Sequence, residues 1–306
     1  MKLKIIFLIQ PKTNLLDLGS STQACLEAID FGLNAEIVFC TYGSNIISSV
    51  GLPIGNLKTF DKIKVQSKDI IFIVSTDISY ILSKEYKIPK DLSTWLNKAH
   101  EGGTQICAIC NGAFLLGKVG LLDRRKCTTH WKRTLELQEM FPKALVHENI
   151  IYIEDDGLIT SAGGVSGIDV TLYMLAKIKD DYFSHKIARE LVMYQRRNGG
   201  DSQQNIYTEK RDHVHTGIHK VQDYIIQNIH KKINVQELAD IANMSYRNFF
   251  RIFKKEAEIS PIDYINKVRK ERAAQLMKDP DYSIKQVANL VGLSSERHLQ
   301  RILTNS

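Results

Sequence analysis

The sequence has no apolar run approaching the roughly 20 residues needed to span a bilayer as a helix. A helical membrane span is therefore not expected, and no membrane partner with it. Its opening, "MKLKIIFLIQPK", is too short in apolar length for a signal peptide and reads as a first strand, so the expected location is cytoplasmic. Cysteines are few and odd in number: Cys25, Cys40, Cys107, Cys110 and Cys127, all within the first 130 residues. Such a set argues against a disulfide scaffold and fits a reducing compartment. Cys107 and Cys110 form a C-x-x-C, but no second pair at zinc spacing completes a metal site, and Cys107 reads as a small buried strand residue. "GGVSG" (163–167) lacks the G-x-G-x-x-G spacing of a dinucleotide fingerprint and reads as a tight turn into a helix. No metal and no cofactor is expected.

What is present points to two parts. A chain of 306 residues exceeds the size at which single cores stop growing, about 250–300 residues. The net charge of +7 and pI near 9.0 favour acidic partners. From residue 212 onward there are 15 Lys and Arg against 11 Asp and Glu, so the smaller part is the denser in positive charge. The first two-thirds alternate strand candidates (4–9, 35–40, 69–75, 105–109, 144–148 and 157–162) with helix candidates (21–31, 90–101, 112–119, 130–139, 165–178 and 183–195). Strands 69–75 and 105–109 are almost continuously apolar, as strands covered on both faces are. The expectation is an α/β, flavodoxin-like parallel sheet sandwiched by helices, with its ligand site at the C-terminal ends of the strands.

Residues 196–216, "RRNGGDSQQNIYTEKRDHVHT", lose apolar periodicity. They give the expected division: 1–198 a ligand-binding α/β domain, 199–216 a linker, and 217–306 an all-α domain. His213, His215 and His219 cluster there and read as solvated linker histidines rather than as a metal site. The tail repeats itself: "LADIANMSYRNFFRIF" (238–253) matches "VANLVGLSSERHLQRIL" (287–303). Each copy has a small Ala for close helix approach, Ala239 or Ala288, and a turn residue tolerant of positive φ, Asn243 or Gly292. Each then has a serine cap, Ser245 or Ser294. This is helix-turn-helix chemistry, and two copies 49 residues apart make two such units. Tyr246, Arg247, Asn248 and Arg251 fall on the exposed start of the first recognition helix, with Ser295, Glu296, Arg297 and Gln300 in comparable places in the second. Lys254 and Lys255 suit phosphates. Phe249, Phe250 and Phe253 are expected in the core.

Over roughly residues 216–303 the tail resembles the AraC/XylS family of transcription regulators, in which two helix-turn-helix units are joined by a long helix; here "EISPIDYINKVRKERAAQLM" (258–277) is similar to that segment. The first part resembles the PfpI/ThiJ branch of class I glutamine-amidotransferase-like proteins, through the strand-then-Cys turn at Cys110-Asn111-Gly112 and "TTHW" downstream. Together with "LLDLG", "TSAGGVSGID" and "RRNGGDSQ", the whole chain is similar to GlxA-type regulators. The resemblance implies double-stranded DNA as partner, a small-molecule effector, self-association as a dimer, and RNA polymerase as a further partner. The chain departs from the group in three places. "STDIS" (75–79) stands where a Gly-Gly turn supplies an oxyanion donor, Asn111 stands where His or Thr often follows the elbow Cys, and the second helix-turn-helix is followed only by Asn305-Ser306.

Cys110 has two readings. On a strand-to-helix elbow it can be a thiolate nucleophile of depressed pKa, with His130 as base and Asp17 as proton carrier, which makes a hydrolase or hydratase. A reactive thiolate could also sense oxidants. Alternatively the same residues only bind: Asp17 holds a cationic amine, Cys110 and Asn111 meet the other end of an amine, amino-acid or betaine-like effector, and His130 is a pocket wall with Trp131 packed beneath. With the glycine turn missing, oxyanion stabilisation is weakened, and the fused tail gives binding without turnover a purpose. The expectation is a sensor without catalysis.

Overall fold

The computed structural model describes residues 2–193, 197–203, 210–211, 213–277, 279 and 281–304. The chain divides into two compact units, Met1–Gln203 and Gln204–Ser306.

The first unit has the strands β1 (Leu3–Ile9), β2 (Ala35–Thr41), β3 (Ile46–Ile47), β4 (Pro53–Ile54), β5 (Lys58–Thr59), β6 (Ile70–Ile73), β7 (Gln105–Ile109), β8 (Lys126–Cys127), β9 (Leu145–Val146), β10 (Tyr152–Asp155) and β11 (Leu158–Ser161). Its helices are α1 (Leu15–Asp30), α2 (Ile78–Ile81), α3 (Lys90–Glu101), α4 (Ala113–Lys118), α5 (Thr134–Met140), α6 (Ser166–Ile178) and α7 (Asp181–Glu190). Seven strands make the main sheet, in the order β10-β11-β7-β6-β1-β2-β5. Alternation along the strands explains the three layers. Ile5, Phe7, Ile70, Phe72, Cys107 and Ile109 face one core, shared with Cys25 and Ala28 of α1 and with α6 and α7. Ile6, Leu8, Ile71, Ile73, Ile106 and Ala108 face the other, shared with α3, α4 and α5. Phe7 and Phe72 stack at 4.8 Å across neighbouring strands.

The architecture is the expected sandwich with three differences. The sheet is mostly parallel, because β10 runs antiparallel to β11 at the edge. The 144–148 segment contributes only β9, which pairs with β8 outside the main sheet. Helix α1 begins at Leu15 rather than 21, because the Asn14 side chain accepts the N–H groups of Leu16 and Asp17 and caps it early.

The boundary between units also falls later than expected. Residues 199–203 of the expected linker are bonded into the first unit: Ile151 N–H donates to the Gly199 carbonyl at 2.9 Å, and the Gln203 amide donates to the Thr129 carbonyl at 2.8 Å. The expected linker residues 204–209 and 212 lie outside the described residues.

The second unit contains α8 (Thr216–Gln227), α9 (Val235–Ile241), α10 (Tyr246–Ala257), α11 (Pro261–Leu276), α12 (Ile284–Leu290) and α13 (Glu296–Thr304). Phe249 and Phe253 of α10 pack with Tyr264 of α11 and Ile218, Val221 and Ile225 of α8. The second, smaller core joins Ala273 of α11 to Val287, Ala288, Leu299 and Ile302. The histidines are half-buried and engaged: the rings of His213 and His219 stack at 4.3 Å, and His215 caps α8. Among the described residues no group of three or more His, Cys, Asp or Glu is placed to hold a metal ion, and no helix is long and apolar enough to cross a membrane.

Candidate functional site

Strand order reverses between β1 and β6: β1 leads to β2 on one side, and β6 lies on the other. In open α/β sheets ligands bind at such a switch point, beyond the carboxyl ends of the strands. Here those ends deliver Asn14 after β1, Ser75–Asp77 after β6 and Cys110 after β7. Cys110 sits at φ 52°, the strained left-handed geometry of an elbow. The elbow is tight because Gly163, at φ 84°, passes behind it; a Cβ there would lie 2.1 Å from the Cys110 Cβ. The Thr129 hydroxyl donates to the Cys110 carbonyl at 2.9 Å and fixes the turn from the other side.

A cavity of about 260 Å³ opens over the elbow, bounded by Ser75, Thr76, Asp77, Cys110, Asn111 and His130, with Lys132 and Arg133 at one end. A larger groove of about 550 Å³ lies beside Lys4, Lys58, Lys62 and Lys64 and is lined by none of these groups. The smaller cavity is the candidate site, because it gathers the polar side chains.

Cys110, Asn111 and His130 come together as the sequence predicts, and Asp17 is adjacent but differently placed. Its carboxylate is 1% exposed and stands behind the elbow rather than in the cavity. Both oxygens are taken: the Ser75 hydroxyl donates to one and the Gly164 N–H to the other. Burial raises its pKa, against the lowering effect of those two bonds. Asp17 thus ties Ser75 to Gly164 and does not line the cavity. The acid at the cavity is Asp77, which the sequence reading missed; its bond from the Ser79 hydroxyl, followed by backbone N–H groups and Lys12, keeps it ionised.

The surroundings of Cys110 disfavour its thiolate. Burial, reinforced by the Asp17 charge, pushes its thiol up from 9.0 to about 12, and this outweighs the backbone N–H of Asn111, the Ser75 hydroxyl and the backbone of His130. The helix that follows, α4, has only six residues and a weak dipole. His130 holds a bond within its own segment. The Nδ1 of His130 accepts the Lys132 N–H at 3.3 Å, and the ring stacks on Trp131. A neutral ring in that tautomer carries its proton on Nε2. Burial and then Lys132 and Arg133 lower the His130 pKa, which keeps it neutral. The segment in place of a glycine turn is committed too: Asp77 N–H donates to the Lys12 carbonyl at 3.0 Å, and Asn111 Nδ2 donates to the Thr76 carbonyl at 3.1 Å. This leaves Asn111 Oδ1 buried without a hydrogen-bond partner.

The second unit presents its own candidate surface. Asn243 at φ 55° and Gly292 at φ 72° make the two tight turns. Gly292 is doubly required, since a Cβ there would sit 2.4 Å from the Ile229 carbonyl oxygen. The cap of α13 is Ser295, whose hydroxyl accepts the His298 N–H at 3.3 Å, rather than Ser294. On α10, Tyr246, Arg247, Arg251 and Lys254 are exposed and Asn248 half-buried; the Asn248 carboxamide accepts from Arg251 at 2.9 Å. On α13, Glu296, Arg297 and Gln300 are exposed, as is Ser295 just before it. Phe250 is not core: it is half-exposed and stacks on Tyr246, because α10 turns only Phe249, Phe253 and Ala257 inward. Arg247 and Arg297 have no intramolecular partner among the described residues, which leaves both guanidinium forks free. The 16 residues of α11 span about 24 Å, a length compatible with placing two reading helices in successive major grooves.

An elbow cysteine over a switch-point crevice, followed by paired helix-turn-helix units, defines an α/β domain joined to a helical helix-turn-helix domain. The chain belongs to the DJ-1/PfpI family, which matches residues 3–177, and carries a helix-turn-helix domain matching residues 238–305. It is 30% identical over 218 residues to the HTH-type transcriptional regulator GbdR of Pseudomonas aeruginosa, covering 70% of this chain and 58% of that one. The chain thus spans less than two thirds of that relative's length. It is 24% identical over 259 residues to the HTH-type transcriptional regulator CdhR of the same species, covering 85% of this chain and 75% of that one. The fold is that of a ThiJ/PfpI family protein from Pseudomonas syringae, with a TM-score of 0.57 at 20% identity over 79% of this chain and 90% of that one.

Proposed function

We propose that the protein is a sequence-specific DNA-binding transcription regulator, controlled by a small molecule held in the cavity above Cys110. One observation carries the sensing half. The family's cysteine elbow is intact, but its thiol is held near 12 and its neighbouring histidine is turned to cap its own chain. The pocket thus keeps the shape of a reactive site without an activated nucleophile. The free Arg247 and Arg297 on two successive recognition helices support the DNA half.

The lining favours an amine or amino-acid-like effector. Lys132 and Arg133 suit a carboxylate; Asp77 suits an ammonium or hydroxyl group. Arg133 shares its guanidinium with Glu136 at 2.8 Å, so Lys132 is the freer cation. We place the protein in the cytoplasm, acting as a homodimer with RNA polymerase as a further partner. A thermal-shift screen of amines and amino acids on the full chain tests the pocket. A binder at a hundred times its Kd stabilises by about 2.7 kcal/mol, and Lys132→Ala and Asp77→Ala should lose most of that. Equal stabilisation of both variants and the wild type would place the ligand elsewhere.

A further inference from the structure

The described part of the "RRNGGDSQ" motif, Arg197–Gln203, is firmly built into the first unit. The Arg197 N–H and guanidinium meet the fully buried Asp169 carboxylate of α6 at 3.0, 2.9 and 2.6 Å. Gly199 packs where a Cβ would come within 2.6 Å of the Tyr152 carbonyl oxygen. The segment ends on Gln203, whose single carboxamide makes three backbone bonds of 2.8 Å. Its Oε1 accepts the Trp131 N–H, and its Nε2 donates to the carbonyls of Thr129 and Ile150. Trp131 and Thr129 flank His130, which with Lys132 and Arg133 forms one wall of the cavity. Thr129 also holds the Cys110 carbonyl. Gln203 is the last residue of the first unit. One side chain therefore grips the pocket wall on both sides of His130 at the point where the chain leaves for the DNA-binding unit.

We infer that Gln203 is a positioning residue that couples the His130 wall of the pocket to the chain's passage into the second unit, so that an occupant of the pocket alters DNA binding through it. The inference rests on the effector reading proposed above. Its physical basis is the bond set. A carboxamide can accept from one backbone group and donate to two others at once, and neither Ala nor Glu can replace that. An occupant that shifts the 129–131 backbone must break those bonds or carry Gln203 with it, which is the differential contact that coupling between distant sites requires.

The test uses the full chain and a covalent pocket occupant, the carboxyamidomethyl group left on Cys110 by iodoacetamide. Cys110 is 8% exposed, whereas Cys25, Cys40, Cys107 and Cys127 are at most 1% exposed, so Cys110 reacts first and single labelling is checked by mass. Affinity is measured for an operator recovered by selection from a random duplex library. Three variants are compared with the wild type: Gln203→Ala; Gln203→Glu, which keeps the acceptor for Trp131 and the side-chain volume; and Gln138→Ala. Gln138 clasps backbone elsewhere in the unit, at Ala144 and Val146, and serves as the structural control. Labelling should change operator affinity at least fivefold in the wild type and in Gln138→Ala, and less than twofold in both Gln203 variants. The Trp131 amide should exchange at least tenfold faster in the Gln203 variants. An undiminished labelling effect in either Gln203 variant overturns the coupling role alone. No labelling effect in a wild type that still binds its operator overturns the effector reading, and the coupling with it.

Discussion

The Cys110 thiol gives the sharpest quantitative expectation. Burial and the Asp17 charge raise it from 9.0 to about 12. Three pKa units correspond to about 4 kcal/mol of preference for the neutral form. At pH 7.5 an ordinary thiol is about 3% thiolate, and one titrating near 12 about a thousandfold less. Iodoacetamide reacts with the thiolate, and a more basic thiolate is the better nucleophile by about half a log unit per pKa unit, so labelling of Cys110 in the native chain should be about 30- to 60-fold slower than labelling of free cysteine at that pH. Restricted access slows it further. The logarithm of the rate should climb linearly with pH through pH 10 without a plateau. Asp17→Asn removes the charge but not the burial, so it should speed labelling by a modest factor and leave the profile rising. Mass spectrometry of the Cys110 peptide over a pH series measures both. A plateau above pH 8, or a rate within tenfold of free cysteine, would refute the protonated thiol and restore the nucleophile.

Asp17 should behave as a brace. Its folded-state pKa lies above 3.8, so the folded chain binds its proton more tightly. The resulting stability is full below pH 3.8 and is lost as pH rises through the raised value. Asp17→Asn should therefore match or exceed the wild type in urea unfolding at pH 7.5, with the comparison shifting toward the wild type as pH falls. Asp17→Ala, which strands the Gly164 N–H and the Ser75 hydroxyl, should cost about 1–3 kcal/mol. On the DNA side, Arg247→Ala should relax base preference in one half of the operator at a cost of about 1–3 kcal/mol. Lys254→Ala should weaken all sequences alike and reduce the salt slope by about one. Arg297→Ala should cost less than Arg247→Ala, because α13 rests on the smaller, aliphatic core while α10 is anchored by Phe249, Phe253 and Tyr264; titration against the selected operator ranks the two.

The legible parts of this molecule were those governed by local pattern. Strands such as 105–109 are apolar throughout because both faces are covered, and the Asn243 and Gly292 turns announce themselves through residues that tolerate positive φ. The antiparallel edge β10 escaped because "YIED" is short and half polar. Phe250 reads as core by its apolar character, although the helical period turns it toward Tyr246. In the site, Cys110, Asn111 and His130 stood out by motif, but their states did not. The height of the thiol depends on burial, and the orientation of His130 depends on a bond to its own backbone two residues on. Asp17, Asp77 and Gln203 show the same limit. Asp17 and Asp77 are ordinary acids in sequence, and only the fold sends one behind the elbow and the other to the cavity. Gln203 reaches 72 residues back to Trp131, a pairing that no local pattern carries.

On the function proposed above, occupancy of the pocket controls DNA binding without chemistry at Cys110. Quantitative footprinting on the selected operator tests it directly, with wild type and Cys110→Ser titrated against the compound that raises the melting temperature most. The expected result is protection of two major-groove segments about one helical turn apart, with ligand response preserved within a few fold in Cys110→Ser. A serine variant that binds the compound normally yet loses all response would contradict it, as would conversion of the compound that the substitution abolishes.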